Sequence, residues 1–225
     1  MNSSYLAGVN CIVTAGPTYE PLDEVRRLTN FSSGKLGSLL ANFLFEQGHQ
    51  VTLLLGHYST FHREQKAQEM QTFTTTEDLR QRLKESSAKQ IGAIFHAAAV
   101  SDFGFGKVFE RQADGTLVET KSGKISTRGG ALLAELVPTP KILRELRNWF
   151  PHAAIIGWKY EVDGTREDVI AKAREQILEC KTTACVANGP AYGFGFGLVT
   201  VENNQHFSNV DELLAALELT ATTAR

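Results

Sequence analysis

The sequence predicts an α/β fold: a Rossmann-like, doubly wound, mostly parallel sheet in a three-layer sandwich, carrying a small β flap. Three observations predict it. Short β-rich runs alternate with amphipathic helical stretches over the first hundred residues, a pattern that builds parallel sheets with right-handed crossovers. The same alternation resumes after residue 136 and runs to the end of the chain. Between these stretches, about 103–136 is rich in Gly, Lys, Thr and Ser and follows neither period.

The elements follow in order. Asn10 to Ala15 is a β-rich run stopped by Gly16-Pro17. Leu36, Leu39, Leu40, Phe43 and Leu44 recur at helical spacing, and Gly48 marks the stop. Gln50–Leu55 is the next strand. A helix runs from Thr76 to about Ser87, with Glu77 and Asp78 in the turn where the helix dipole favours negative charge. Ile91–Ala97 is a third strand. The irregular stretch offers two short strands, Leu117–Thr120 and Ala131–Leu136, and reads as a flap over the open edge of the sheet. Beyond it come a helix at Pro140–Trp149, a strand at Ala153–Lys159 and a helix from Thr165 to about Glu179. Strands at Ala184–Ala187 and Leu198–Glu202 and a helix at Val210–Leu219 complete the chain.

At 225 residues, 42% hydrophobic and 21% charged, the chain reads as one globular domain over 1–225. A net charge of −2 gives no footprint for nucleic acid. The longest apolar runs, Ile91–Phe95 and Ala153–Gly157, are too short for a membrane span, and Met1–Asn10 lacks the features of a signal peptide. Cys11, Cys180 and Cys185 have no metal-ligand spacing, and Cys11 and Cys185 sit in apolar runs as small core residues. The expected compartment is the cytoplasm.

In such a fold, ligands lie outside the carboxyl ends of the strands. Four segments occupy those ends: 16–27, 97–103, 158–163 and 188–197. The first leads through Arg26 and Asn30 to Ser32, Ser33, Gly34 and Gly37 at a helix start. Free N–H groups there can hold phosphate oxygens, and Arg26 can clamp a phosphate or carboxylate. On the residues alone, the serines as simple caps, the glycines as packing positions and Arg26 as a solvated charge stand equally open. Neither a Walker P-loop nor a G-x-G-x-x-G turn is present. The second segment, Ala97-Ala98-Ala99-Val100-Ser101-Asp102, leaves backbone groups bare and offers one carboxylate. In the flap, Lys124 lies in Lys121-Ser122-Gly123-Lys124-Ile125-Ser126, where a lysine can neutralise developing charge.

Together, residues 14–23, 26–37, 97–103 and 124–126, with 138–143, 157–161 and 186–188, resemble the phosphopantothenoylcysteine synthetase family over nearly the whole chain, in its stand-alone form. The resemblance implies a ligase that joins 4′-phosphopantothenate to cysteine through an acyl-nucleotidylate, using CTP or ATP with Mg²⁺. It implies a homodimer whose two sites are completed across the interface. By position, Asn30 holds the acyl group with Arg26, Ala98 and Ala99, and Lys124 serves the acyl-nucleotidylate chemistry. Gly16, Ser32, Gly34, Gly37, Asp102, Pro140, Lys141, Ile142, Leu143, Trp158 and Asn188 line the nucleotide, with Trp158 where the family usually has Phe. Two lysines that accompany CTP selection in bacterial members are matched by Gln176 and Cys180, with Lys172 four residues off register. Two other readings remain: a relative that binds nucleotide without this catalysis, and an NAD(P)-dependent oxidoreductase.

Of the remaining features, His96 reads as structural, and Trp149 as core or dimer contact. His57 and His62, near Glu64, read as solvated because their spacing on a polar loop fits no metal-ligand set; residues 64–69 read as a solvated charged run, and Gly193–Gly197 carries no assigned role.

Overall fold

The computed structural model describes residues 8–120, 123–125 and 130–223. In chain order the elements are β1 (Asn10–Ala15), β2 (Tyr19–Pro21), β3 (Arg27–Thr29), α1 (Lys35–Glu46), β4 (Gln50–Gly56), β5 (Glu69–Phe73), α2 (Thr76–Ser86) and β6 (Ala93–His96). They continue as β7 (Phe103–Arg111), β8 (Leu117–Thr120), β9 (Leu132–Pro138), α3 (Ile142–Trp149), β10 (Ala154–Tyr160), α4 (Arg166–Cys180), β11 (Ala184–Asn188), β12 (Phe196–Val199), β13 (Asn204–Phe207) and α5 (Val210–Thr223).

The main sheet has the order β13-β12-β11-β10-β6-β1-β4-β5. From β5 to β11 every pairing is parallel, whereas β12 and β13 add antiparallel at one edge. The chain therefore winds outward from β1 in one direction, then returns to β6 and winds in the other. The reversal lies between β1 and β6, where diverging connections open a crevice. The predicted fold class is the observed one.

Successive strand residues serve opposite faces. Val13, Leu53 and Ile156 pack with Leu40 and Leu44 of α1 and Leu213 and Leu217 of α5. Their neighbours Ile12, Leu54 and Ile155 pack with Leu79 and Leu83 of α2 and Leu146 of α3. Helix α4 covers Cys185 and Val199 with Val169, Ala173 and Ile177. Because both faces are covered, the central strands read as unbroken apolar runs rather than alternating ones. Each such side chain contributes roughly 1.5–3 kcal/mol on burial.

Helix starts follow local chemistry. Thr75 Oγ1 accepts from the Asp78 amide, and Thr165 forms a capping box with Asp168.

Several elements differ from expectation. The flap has three strands, ordered β8-β7-β9, and its longest, β7, was not anticipated. Its glycines interrupt the apolar alternation, and a bulge between Phe105 and Val108 shifts its register. The flap packs on β2. Residue 69 opens edge strand β5 instead of ending a solvated run. The expected strand Leu198–Glu202 moves back to Phe196–Val199, because Thr200 and Asn203 close a turn into the unforeseen β13. The short β2–β3 hairpin was likewise not foreseen.

Candidate functional site

A cleft of about 1080 Å³ opens at the β1–β6 reversal, enough space for two small ligands at once. The loops leaving β1 and β6 run side by side: the Ala99 amide donates to Gly16 O at 3.0 Å, and the Thr18 amide to Ala99 O at 3.2 Å. Onto this pair closes Asn30, whose Nδ2 donates to Ala99 O at 3.3 Å and Val100 O at 3.2 Å. Its Oδ1 has no hydrogen-bond partner among the described residues. Thr29 Oγ1, bonded to Thr18 O at 2.8 Å, holds the chain just before it.

Two helix N-termini face the cleft. At α1 the N-cap is Gly34, which has φ 75° and no side-chain cap bond. A Cβ there would lie 2.5 Å from Ser59 Oγ and 3.1 Å from the Gly16 amide nitrogen. Gly37, one turn on, would place its Cβ 2.6 Å from Ala15 Cβ and 3.0 Å from Thr14 O. The missing side chains thus let α1 lie against β1; the Lys35 amide donates to Ser33 Oγ at 3.3 Å, and the amides that follow it in the first turn can meet an anion. At α3, Lys141 is the N-cap, again without a side-chain cap bond, and its ammonium pairs with Asp102.

Cationic charge is in excess along the walls. Lys35, Lys141, Arg144, Lys159 and Lys172 face the cleft with Asp102, Glu175 and Glu179. Arg144 is bonded to Glu179 at 2.7 Å, and Lys172 to Glu161 at 2.6 Å. Lys35 has no ion-pair partner among the described residues. Further in, Trp158 Nε1 and Asn188 Oδ1 are buried without a hydrogen-bond partner among the described residues. An orphan donor and an orphan acceptor in one cleft fit a polar ligand.

His96 forms part of the floor. Burial pushes its imidazole down to about 4, and its Nδ1 shares a 3.0 Å hydrogen bond with Thr14 Oγ1. It is therefore neutral at pH 7. Burial also raises the thiols of Cys180 and Cys185, the latter to about 12.

Of the residues singled out from the sequence, Asn30, Ser32, Gly34, Gly37, Ala98, Ala99, Asp102, Pro140, Lys141, Ile142, Leu143, Trp158 and Asn188 line this cleft. Gly16 stands directly behind Gly34. Two residues lie elsewhere. Arg26 reaches Asp23 at 2.8 Å and Ile125 O at 2.6 Å. Lys124 is exposed on the flap and does not line the cleft of its own chain. Lys121, Ser122 and Ser126 fall outside the described residues. Lys35, Tyr160 and Lys172 line the cleft without having been assigned a role. Lys35 falls within residues 26–37, one of the stretches that carry the family resemblance. Lys172, four residues before Gln176, is one helical turn away on the same face. Among the described residues no group of His, Cys, Asp and Glu forms a metal site, His57 and His62 included.

The family model for the DNA/pantothenate metabolism flavoprotein C-terminal domain matches residues 6–218. The chain belongs to this family. Within it, the coenzyme A biosynthesis bifunctional protein CoaBC of Thermococcus kodakarensis is 34% identical over 184 residues, covering 81% of this chain and 42% of that protein. The CoaBC of Bacillus subtilis is 31% identical over 200 residues, covering 88% of this chain and 45% of its own. This flavoprotein C-terminal domain thus spans less than half the length of these two relatives. Its fold matches the DNA/pantothenate metabolism flavoprotein from Streptococcus pneumoniae with a TM-score of 0.83 at 23% identity, over 97% of this chain and 100% of the other. It also matches a Cab2 mutant in complex with phosphopantothenate-cysteine, with a TM-score of 0.75 at 18% identity, over 97% and 88%.

Proposed function

We propose that this domain joins 4′-phosphopantothenate to cysteine in coenzyme A biosynthesis, at the expense of CTP or ATP. The observation that carries the reading is that the Asn30 carboxamide and the glycine-capped N-terminus of α1 line one cleft, roomy enough for an acid and a nucleotide. Support also comes from the CoaBC relatives and from the ligand named for the Cab2 complex.

The reaction has two steps. An oxygen of the substrate carboxylate attacks the α-phosphorus of the triphosphate, the bond to the β-phosphate oxygen breaks, and pyrophosphate leaves. The cysteine amine then attacks the acyl carbon, the acyl–oxygen bond breaks, nucleoside monophosphate leaves, and the amine proton passes to solvent. Such chemistry needs positioning and charge stabilisation more than a protein nucleophile. Asn30 and the Ala98–Ala99 backbone hold the acid. Ser32, Gly34 and Gly37 at the start of α1, with the Lys35 ammonium, hold phosphate oxygens, while Pro140–Leu143, Trp158 and Asn188 enclose the nucleoside. Mg²⁺ bound to the triphosphate would neutralise phosphate charge, and Asp102 on the cleft wall is the carboxylate that would meet it.

A homodimer belongs to the same proposal. Phe31, Val25 and Leu28 on the first loop, and Phe103, Leu136 and Val137 on the flap, are exposed apolar side chains, a composition suited to contact between copies. A second copy can bring Lys124 to a cleft that its own chain does not furnish with it.

The test is incubation of the purified chain with phosphopantothenate, cysteine, Mg²⁺ and each triphosphate in turn. Formation of phosphopantothenoylcysteine with release of pyrophosphate and nucleoside monophosphate, read by mass spectrometry, is the expected result. Stabilisation by NADP, with none by CTP or ATP and no product, would instead support the oxidoreductase reading.

A further inference from the structure

The Arg26 guanidinium does not point into the cleft; it grips the flap. Its Nη2 donates to Ile125 O at 2.6 Å and pairs with Asp23 at 2.8 Å. The Ile125 amide donates to the other side of this pair, Asp23 Oδ2, at 3.2 Å. Two residues before Arg26 and Ile125 on their segments, the Glu24 amide donates to Gly123 O at 2.9 Å. Lys124 is thus fastened on both sides, through Gly123 and Ile125, to the turn between β2 and β3.

The grip is a built structure. The Asp23 side chain is 1% exposed, and its Oδ1 also accepts from the amides of Val25 at 3.0 Å and Arg26 at 2.7 Å. Burial alone would raise the carboxyl, but these donors and the Arg26 charge hold it below the ordinary carboxylate range. Ile125 is itself buried. The same turn leads through β3 to Asn30, so one short hairpin carries both the cleft carboxamide and the anchor of the flap lysine.

We infer that Asp23 and Arg26 are positioning residues that set the place of Lys124, linking the flap lysine to the loop that carries Asn30. This rests on the ligase reading for its catalytic consequence, but not for the contact itself. It gives Arg26 a task other than binding substrate anion.

The experiment combines hydrogen exchange with a mutant cycle on the full chain. In Arg26→Ala and Asp23→Asn, exchange at residues 123–125 should speed up while the central sheet stays protected. Asp23→Asn keeps the side-chain shape and serves if Arg26→Ala does not fold. Turnover should fall by roughly tenfold or more with KM for phosphopantothenate little changed, and Arg26→Lys should recover part of it. In a Lys124→Gln background, Arg26→Ala should add almost nothing, because both changes remove one function. Unchanged exchange at 123–125 overturns the inference. So does a large rise in KM for phosphopantothenate with losses that multiply in the double variant, since Arg26 would then be a substrate ligand. Absence of turnover in the unmodified chain sinks the ligase reading instead, and the exchange data still decide the contact.

Discussion

Asn30 stands where two loop carbonyls converge, and it meets them with its amide nitrogen. An aspartate at this position turns a donor into an anion facing the Ala99 and Val100 carbonyls and the incoming acid. Asn30→Asp should lower kcat by ~10²-fold or more, comparable to loss of an oxyanion-type donor. The site is exposed, so circular dichroism and thermal midpoint should stay near those of the unmodified chain; near-normal activity would remove Asn30 from the site. His96 gives a prediction of a different kind. Its folded value of about 4 lies below the ordinary 6.5, so the unfolded chain binds the extra proton first. The stabilising contribution is therefore complete above about pH 6.5 and drains away as pH falls towards 4. By linkage the full effect is on the order of 3 kcal/mol. Replacing His96 by Gln should flatten this limb of a stability–pH curve measured by urea unfolding. An unchanged slope between pH 6.5 and 4 would mean the imidazole is not kept neutral by burial.

At the scale of elements, α1 shows how a close approach builds a site. Alanine in place of Gly37 gains about 1 kcal/mol of helix propensity. It also drives a Cβ to 2.6 Å from Ala15 and 3.0 Å from a backbone oxygen, and overpacking of this kind costs about 1–3 kcal/mol. Because a strand carbonyl cannot yield as a side chain can, the clash should win. Calorimetry of Gly37→Ala should find the thermal midpoint lowered by several degrees and nucleotide affinity weakened; a midpoint raised by the helix-propensity gain would show that α1 can shift. The capping box of α4 is a milder control. Thr165→Ala should cost about 1 kcal/mol without altering the cleft, because Thr165 sits at the start of a helix whose cleft-lining residues begin at Lys172.

The whole molecule is a sheet whose winding reverses beside β1, with charge gathered at that reversal. The exposed apolar side chains of the first loop and flap argue for a second copy. Sedimentation velocity should show a dimer in the micromolar range, and Leu136→Asp should shift it towards monomer while the domain stays folded. If the unmodified chain stays monomeric yet turns over fully, completion of the site across an interface is wrong. Separately, Lys124→Gln should depress product formation far more than thermal stability, whichever copy supplies the lysine; equal losses would mark it as structural.

Much of the fold was legible because local rules governed it. The apolar runs at 10–15 and 50–55, the helical spacing from Leu36 to Leu44, and Thr165 at a helix start all carry their instructions in neighbouring residues. What escaped was non-local. Strand β5 is polar and short and exists because β4 offers it a partner. Strand β7 contains glycines that signal a break until β8 and β9 pair with it. The cleft was legible in part, since small residues before a helix and a string of alanines after a strand mark places where backbone meets ligand. Lys172 was discounted for its sequence offset, whereas helix geometry returns it to the same face as Gln176. Arg26 is the clearest divide. Residue type and spacing established that a guanidinium stands near Asn30, but an arginine's reach of several ångströms leaves its target open. Asp23, three residues away, is a local partner, but only the folding of the flap back onto the β2–β3 turn decided that the charge is also met by Ile125 O, a group 99 residues away that becomes a neighbour through tertiary packing alone.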